Sequence, residues 1–257
     1  MDLVELKPWL HLLRFPVGQA YLWRDGDALT LIDSGPPGAA DDVEGAIGTL
    51  GLQPSALRRI VLTHFHADHS GAAGELATRH SVPVLAHHAD APVIRGELPP
   101  PPPDFSDAPD WERRLFDQIH AGYGISSEDP RPIPAPPVHV DHELRGGDTL
   151  DLGGGGLGGG GLVVAVPGHT DGSIAVQLPL HRALFTGDAV AAGGEDGTAM
   201  LGVFNADRGR AISSLERLAE LPVDAAYFGH GGPVTRDAAG ALRQAAALFV
   251  EPSAGGR

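Results

Sequence analysis

The chain has 257 residues, of which 42% are hydrophobic, and it carries a formal net charge of −15. This length fits one large domain or two small ones, and no run approaches the roughly 20 apolar residues that span a bilayer. The negative charge opposes nucleic-acid binding. The sequence contains no cysteine, so any metal ion must be held by His, Asp or Glu. We expect a small-molecule partner, no nucleic acid, no membrane, and, without a signal-peptide pattern, a cytoplasmic location.

The first part of the chain alternates short apolar strands with helices. The segments WLHLLRF, AYLWRDG and ALTLIDSG predict three successive strands, and Asp25-Gly26-Asp27 indicates a hairpin between the last two. The segment AADDVEGAIGTLGL predicts a helix that ends near Gly51. RRIVLTH then predicts a strand, SGAAGELATRH a helix capped by Ser70, and VPVLAH a further short strand.

Residues 95–137 differ from this pattern because they contain two proline-rich segments, which cannot form regular helix or strand. Between them, apolar residues recur at helical spacing, namely Trp111, Leu115, Phe116 and Ile119. The sequence therefore predicts an inserted helix on two stiff arms. The insert is either a surface excursion or a lid over a site. A lid would offer four aromatic residues as substrate contacts: Phe105, Trp111, Phe116 and Tyr123.

The second part of the chain repeats the order of strands, helix and strand. LVVAVPG, SIAVQLP and RALFTGD predict strands, and ADRGRAISSLERLAEL predicts a helix with one apolar stripe. DAAYFGH predicts a last strand and AAGALRQAAALFV a last helix, whereas the glycine-rich residues 152–162 predict a hairpin tip. We expect a pseudo-duplicated arrangement of strands and helices within a single domain, residues 1–257.

The strand RRIVLTH leads directly into a dense ligand-type pattern, H-x-H-x-D-H, formed by His64, His66, Asp68 and His69. His64 and His66 are two residues apart, so they point the same way in extended backbone, whereas the later pair can face a second point. Imidazole and carboxylate groups are ligands that zinc and similar ions accept. In a chain of this composition the pattern arises by chance on the order of a few times in a thousand. It therefore predicts a metal site.

Three later segments end a predicted strand with glycine and a ligand-type residue. These are VVAVPGHTDG with His169, RALFTGD with Asp188, and AAYFGHGG with His230. Because the carboxyl ends of strands in α/β sheets gather at one edge, we expect these side chains to lie near the first cluster.

With these ordered motifs, the chain resembles the metallo-β-lactamase-fold hydrolase superfamily over most of residues 10–235. The resemblance implies an α+β fold, a four-layer αβ/βα sandwich, with a two-metal site along one edge. It implies His64, His66 and His169 as ligands of the first ion, Asp68, His69 and His230 of the second, and Asp188 as the bridge. It also implies that Asp33, in LIDSG, supports the site from behind. The alternative is that Asp33 is simply a turn residue after a strand.

The resemblance further implies two divalent ions, zinc with manganese or iron as alternatives, which share a water molecule and lower its pKa toward 7. Asp68 would orient that water or carry a proton. The predicted activity is hydrolysis of a small ester, thioester or lactone by the resulting hydroxide.

The subgroup stays unassigned. Asp188 stands near a position where true metallo-β-lactamases use Cys or Ser, and Ala191 replaces the tyrosine of acyl-homoserine lactonases. No cysteine or cation follows Asp188 in AVAAGGEDGTAML, unlike glyoxalase-II-like thioesterases. Two interpretations from other classes remain open. One is a sulfur-dioxygenase-like oxidoreductase with a single iron on His64, His169 and Asp188. The other is a catalytically silent member of the fold.

Overall fold

The larger of two main sheets contains seven strands in sequence order. The structure is a computed structural model that describes residues 1–152, 160–193 and 197–249, with only the backbone of Tyr123. The strands are β1 (Asp2–Lys7), β2 (Leu10–Arg14), β3 (Gln19–Asp25), β4 (Ala28–Ile32), β5 (Leu57–Val61), β6 (Val84–His87) and β7 (His142–Leu144). The first four pair antiparallel, and the β4–β5, β5–β6 and β6–β7 pairs are parallel.

The second sheet is formed by the later part of the chain. Its strands are β8 (Thr149–Leu150), β9 (Gly161–Ala165), β10 (Ile174–Leu178), β11 (Ala183–Phe185) and β14 (Ala225–Tyr227), in the spatial order β14-β11-β10-β9-β8. A separate hairpin joins β12 (Val190–Gly193) to β13 (Thr198–Leu201).

Helices occur in both the first and the second half of the chain. They are α1 (Ala40–Thr49), α2 (Ala67–Ser70), α3 (Ala73–His80), α4 (Ala91–Ile94), α5 (Asp110–His120), α6 (Arg208–Ala219) and α7 (Ala238–Ala247). Within the described ranges, none of them is long and apolar enough to cross a membrane.

Alternating side chains along the strands build three apolar cores. In β3, Tyr21 packs between the two sheets while its neighbour Leu22 packs against the helices of the first half. In β10, Val176 faces the first sheet while Ala175 packs with Leu215 of α6 on the outer side. The layers therefore run helix, sheet, sheet, helix. The α+β, αβ/βα sandwich expected from the sequence is confirmed.

The insert contains the expected helix, α5, and its buried residues are Glu112 and Phe116. Trp111 and Ile119 are 43% and 50% exposed, whereas Phe116 and the charged Glu112 are buried. Glu112 accepts hydrogen bonds from the backbone N–H of Phe204 and from Arg208 in the second half. This polar contact sets the rotation of the helix, and the apolar residues Trp111 and Ile119, which contributed to the helical spacing, lie toward solvent.

The segment after the H-x-H-x-D-H pattern also differs from the prediction. Ser70 is the last residue of α2 and does not cap α3, because its hydroxyl donates to the carbonyls of Phe65 and His66. The expected hairpin tip falls mostly on residues 153–159, outside the described residues. The strands β1, β7 and β8 and the β12–β13 hairpin were not anticipated.

Candidate metal centre

Seven ligand-type side chains lie together where strands of both sheets end. The loop after β5 and the short helix α2 that follows it supply four of them, and the segments after β9, β11 and β14 supply one each. They form two groups in which the candidate ligand atoms lie within 4.8 Å of one another. The first group consists of His64, His66, His169 and Asp188, and the second of Asp68, His69 and His230.

The first group combines ligands from both halves of the chain. His169 Nε2 lies 2.9 Å from His66 Nδ1 and 3.6 Å from Asp188 Oδ2. His64 Nε2 lies 3.9 Å from the same carboxylate oxygen. Three imidazole nitrogens and one carboxylate therefore face a common point, which is the donor set expected of a divalent metal site.

The second group lies beside the first and shares Asp188 with it. Asp68 Oδ2 is 3.3 Å from His69 Nε2 and 3.1 Å from His230 Nε2. Asp188 Oδ1 is 3.3 Å from His69 Nε2, and its Oδ2 is 3.2 Å from His230 Nε2. The carboxylate of Asp188 thus contacts members of both groups and can bridge two ions.

Asp33 sits behind the groups and fixes two of the imidazoles. Its carboxylate accepts hydrogen bonds from the N–H and hydroxyl of Thr63 at 2.7 and 2.8 Å, and Oδ2 lies 3.0 Å from His69 Nδ1. The hydroxyl of Thr63 gives its proton to Asp33, so it accepts from His64 Nδ1, 3.0 Å away. The neutral His64 ring then carries its proton on Nδ1, which leaves its Nε2 lone pair facing the groups, and Asp33 fixes the orientation of the His69 ring.

His64 Nε2, a buried polar atom in the centre, has no hydrogen-bond partner. His169 Nδ1 donates to the carbonyl of Val203 at 3.1 Å, so its Nε2 also presents a lone pair. Buried polar groups are normally satisfied, and several lone pairs converging without donors are unfavourable. A bound cation would satisfy all of them, so the residues present fit divalent metal ions.

Burial and neighbouring charges shift the imidazole pKa values of the two groups in opposite directions. Burial, reinforced by nearby imidazoles, holds the pKa of His64 well below its usual range and lowers that of His66 to about 3. Burial also lowers the pKa of His169. These three rings are therefore neutral at pH 7 and available as ligands.

The second group has the opposite electrostatics. The Asp188 carboxylate raises the pKa of His230 to about 10, against the effect of burial. Burial acts to raise the pKa of Asp188, but the charges of His230 and His69 outweigh it and hold that pKa well below the usual range. Without cations, protons on imidazoles thus balance the carboxylates. Divalent ions would take over that role and displace the protons.

Two of the aromatic residues proposed as substrate contacts pack inside the insert and against the second half of the chain. Phe105 and Phe116 are buried against each other, with ring centroids 4.9 Å apart, and Phe116 packs on Phe204 at 5.1 Å. Trp111 is exposed on the outer side of α5, and the side chain of Tyr123 lies outside the described residues. Phe105 and Phe116 therefore anchor the insert against Phe204.

The sequence did not mark every residue that shapes the centre. Asp90 joins two of the ligand loops by hydrogen bonds, although no motif surrounds it. Gly229 precedes His230, and a Cβ atom there would overlap Asp188 Oδ1. The Gly-His pair after β14 was a signal for this glycine, but its packing role depends on a residue that is distant in sequence.

Comparison with known proteins identifies the family. The model of the metallo-beta-lactamase superfamily matches residues 13–230. The hydroxyacylglutathione hydrolase of Halorhodospira halophila is 32% identical over 205 residues, covering 79% of this chain and 58% of that protein. The chain thus spans less than two thirds of that relative. The probable metallo-hydrolase YflN of Bacillus subtilis is 28% identical over 255 residues, covering 90% of this chain and 87% of that protein.

Solved structures agree on the fold. A metallo-beta-lactamase family protein of Thermus thermophilus is 25% identical, with a TM-score of 0.60 and coverage of 95% of this chain and 78% of that one. BJP-1, a subclass B3 metallo-beta-lactamase of Bradyrhizobium japonicum, is 16% identical with a TM-score of 0.65, covering 96% and 90% of the two chains. The second likeness bears on the fold alone. Sequence match, fold and ligand groups together show that this chain belongs to the metallo-beta-lactamase superfamily of metallo-hydrolases.

Proposed function

We propose that this protein hydrolyses a small ester, thioester or lactone with the help of two divalent ions, zinc in the first place. The observation that carries the proposal is the position of Asp188, whose carboxylate contacts both ligand groups. His64, His66 and His169 would hold one ion, and Asp68, His69 and His230 the other. When bound, two such ions supply hydroxide at neutral pH and polarise the scissile carbonyl.

Residues of the second group would face the incoming substrate and orient the attacking water. The side chains of Asp68 and His230 are 24% and 38% exposed, so solvent and substrate can reach the second group at these two residues. Burial acts to raise the pKa of Asp68, but the charge of His69 outweighs it and holds the pKa well below the usual range. Asp68 is therefore ionised at neutral pH and can accept a hydrogen bond from the attacking water, which orients it.

A nearby cavity supports an apolar acyl group on the substrate. The cavity has a volume of about 450 Å³, and Phe65, whose ring lies 4.7 Å from that of His66, forms one wall. Leu98 and Ile133 add apolar surface, and Glu97 is the one charged residue of the lining. No cation lines the cavity to pair with the two carboxylates of glutathione, and Arg95 beside it is already paired with Glu97 at 2.8 Å. We therefore favour an apolar ester, thioester or lactone over a glutathione thioester.

The test begins with the metal content of natively purified protein. We expect two ions per chain and turnover of at least one member of a panel of alkyl esters, acyl thioesters and lactones, assayed with Zn, Mn and Fe. His66→Ala and Asp188→Ala should each lower turnover by at least about 100-fold. His139→Ala, in which a ring that is 77% exposed is removed, is the matched control and should not change it.

The other outcomes decide against the proposal. Undiminished turnover in either ligand variant would contradict it. One iron per chain with substrate-dependent oxygen uptake would support the sulfur-dioxygenase-like alternative. A protein that binds no divalent ion would be a catalytically silent member of the superfamily.

A further inference from the structure

Asp90 is a buried carboxylate that lies between two of the ligand loops. It follows β6 and precedes α4, and its side chain is withdrawn from solvent. Its Oδ2 accepts hydrogen bonds from the backbone N–H of Phe65 at 3.1 Å and from the hydroxyl of Thr170 at 2.7 Å. Its Oδ1 accepts from the backbone N–H of Gly172 at 2.7 Å. One side chain thus satisfies three donors.

These donors belong to segments that carry the first ligand group. Phe65 lies between His64 and His66 in the loop after β5. Thr170 is the residue next to His169 in the loop after β9. The two loops come from different sheets. Asp90 therefore links the imidazoles supplied by the first half of the chain to the one supplied by the second.

The surroundings hold the carboxylate in one position. Thr170 is fixed by Ser173, whose Oγ lies 2.8 Å from its hydroxyl and accepts from its backbone N–H at 3.0 Å. A Cβ atom on Gly172 would come within 2.5 Å of Asp90 Oδ1 and 2.6 Å of its backbone nitrogen, so only glycine fits this approach. Burial, opposed by the three hydrogen bonds, raises the pKa of Asp90 to about 6. The group is therefore mainly ionised at pH 7 and accepts from all three donors.

We propose that Asp90 is a positioning residue that sets the spacing between the His64–His66 loop and the His169 loop, and so prepares the first ligand group to bind its ion. The inference rests on the proposed function. A site whose ligands are already in place binds more tightly, because binding does not have to order them. Asp33 acts differently, because it orients His69 directly and His64 through Thr63 but does not join the His64–His66 loop to the His169 loop.

The experiment compares zinc binding by metal-depleted, full-length wild type, Asp90→Asn and Asp90→Ala. Zinc is titrated in competition with a chelating dye, and Co²⁺ absorption spectra report the geometry of each site. Mutation of a residue that orients metal ligands typically lowers metal affinity by about 10- to 100-fold. We expect Asp90→Ala to lose about that much at the first site and little at the second. Asp90→Asn should lie between, because its amide can accept from only part of the donor set.

Three further variants separate positioning from general stability. Asp141→Asn removes a carboxylate that accepts from the N–H of Val84 at the opposite end of β6, and it should keep wild-type affinity. Leu242→Ala destabilises the core around α7 without touching the centre. Thr170→Val removes one donor to Asp90, and its zinc affinity provides a second test if Asp90→Ala fails to fold. It should weaken the first site less than Asp90→Ala does.

The results separate this inference from the proposed function. Wild-type zinc affinity in Asp90→Asn and Thr170→Val, or an equal affinity loss in Leu242→Ala, would overturn the inference alone. Loss of the first ion in a protein whose wild type hydrolyses nothing in the panel would uphold the inference and overturn the proposed activity. A wild type that binds no divalent ion would overturn both.

Discussion

Removal of the Glu112 carboxylate should detach the insert from the second half of the chain. The side chain is 2% exposed, and its Oε1 accepts from the backbone N–H of Phe204 at 2.6 Å. Its Oε2 accepts from Arg208 Nη1 at 2.8 Å, and the side chain of Arg208 is 17% exposed. In Glu112→Ala both partners lose their acceptor.

The expected cost follows from these two contacts. A buried N–H without an acceptor costs about 1–3 kcal/mol. Breaking a fully buried ion pair costs about 3–5 kcal/mol, but Arg208 keeps some access to water, so its share is smaller. We expect Glu112→Ala to lower the free energy of unfolding by about 3 kcal/mol. For a chain of this size that corresponds to about 6–12 °C in Tm. Glu112→Gln keeps one hydrogen bond and should lose less.

Urea unfolding and thermal melting of the metal-loaded protein measure the effect. The matched control is Glu143→Ala, which breaks an exposed pair with Arg95 at 2.8 Å and should cost less than about 1 kcal/mol. If Glu112→Ala unfolded within about 1 kcal/mol of wild type, the buried pair would not anchor the insert, and the explanation of the rotation of α5 would fail.

Three more perturbations have defined outcomes. Gly229→Ala should weaken zinc binding in a dye-competition titration, because its Cβ would overlap Asp188, whereas Gly232→Ala, with open space around it, should not. Burial raises the folded pKa of Asp90 from 3.8 to about 6, so stability relative to Asp90→Asn is fully present below about pH 4 and falls as pH rises through 6. Urea unfolding at about pH 4.5 and pH 7 should show a change on the order of 2–3 kcal/mol, and a constant difference would contradict this sign. Chelation should lower Tm, and zinc should restore it, since the ions bind the native state. A Tm unaffected by chelation would contradict metal binding.

The candidate ligand set could be read from the sequence because each of its residues follows a strand within a short pattern. H-x-H-x-D-H and the later Gly-His and Gly-Asp pairs are local signals, and strand ends meet at one edge of a sheet. The layer order could be predicted for the same reason, because alternating apolar residues in segments such as β3 mark two buried faces.

The contacts between distant segments could not be read in this way. Asp90 and Glu112 are single acidic residues whose partners lie 25 to 96 positions away. Helical periodicity correctly identified α5, but it could not show that Glu112 is buried and Trp111 exposed, because apolar spacing does not register a buried charge with a remote partner. A sequence pattern reports the local period of a helix, but the tertiary fold determines which face of the helix is buried.

The first ligand group draws its side chains from loops of both sheets, so an ion held there also fastens the two halves together. Any motion that parts the sheets must first break coordination, and the energy of coordination therefore adds to the barrier for opening. We expect the loaded molecule to open rarely and to survive proteases, and the metal-free molecule to open often and be degraded sooner. The supply of metal would then govern the lifetime of the protein as well as its chemistry.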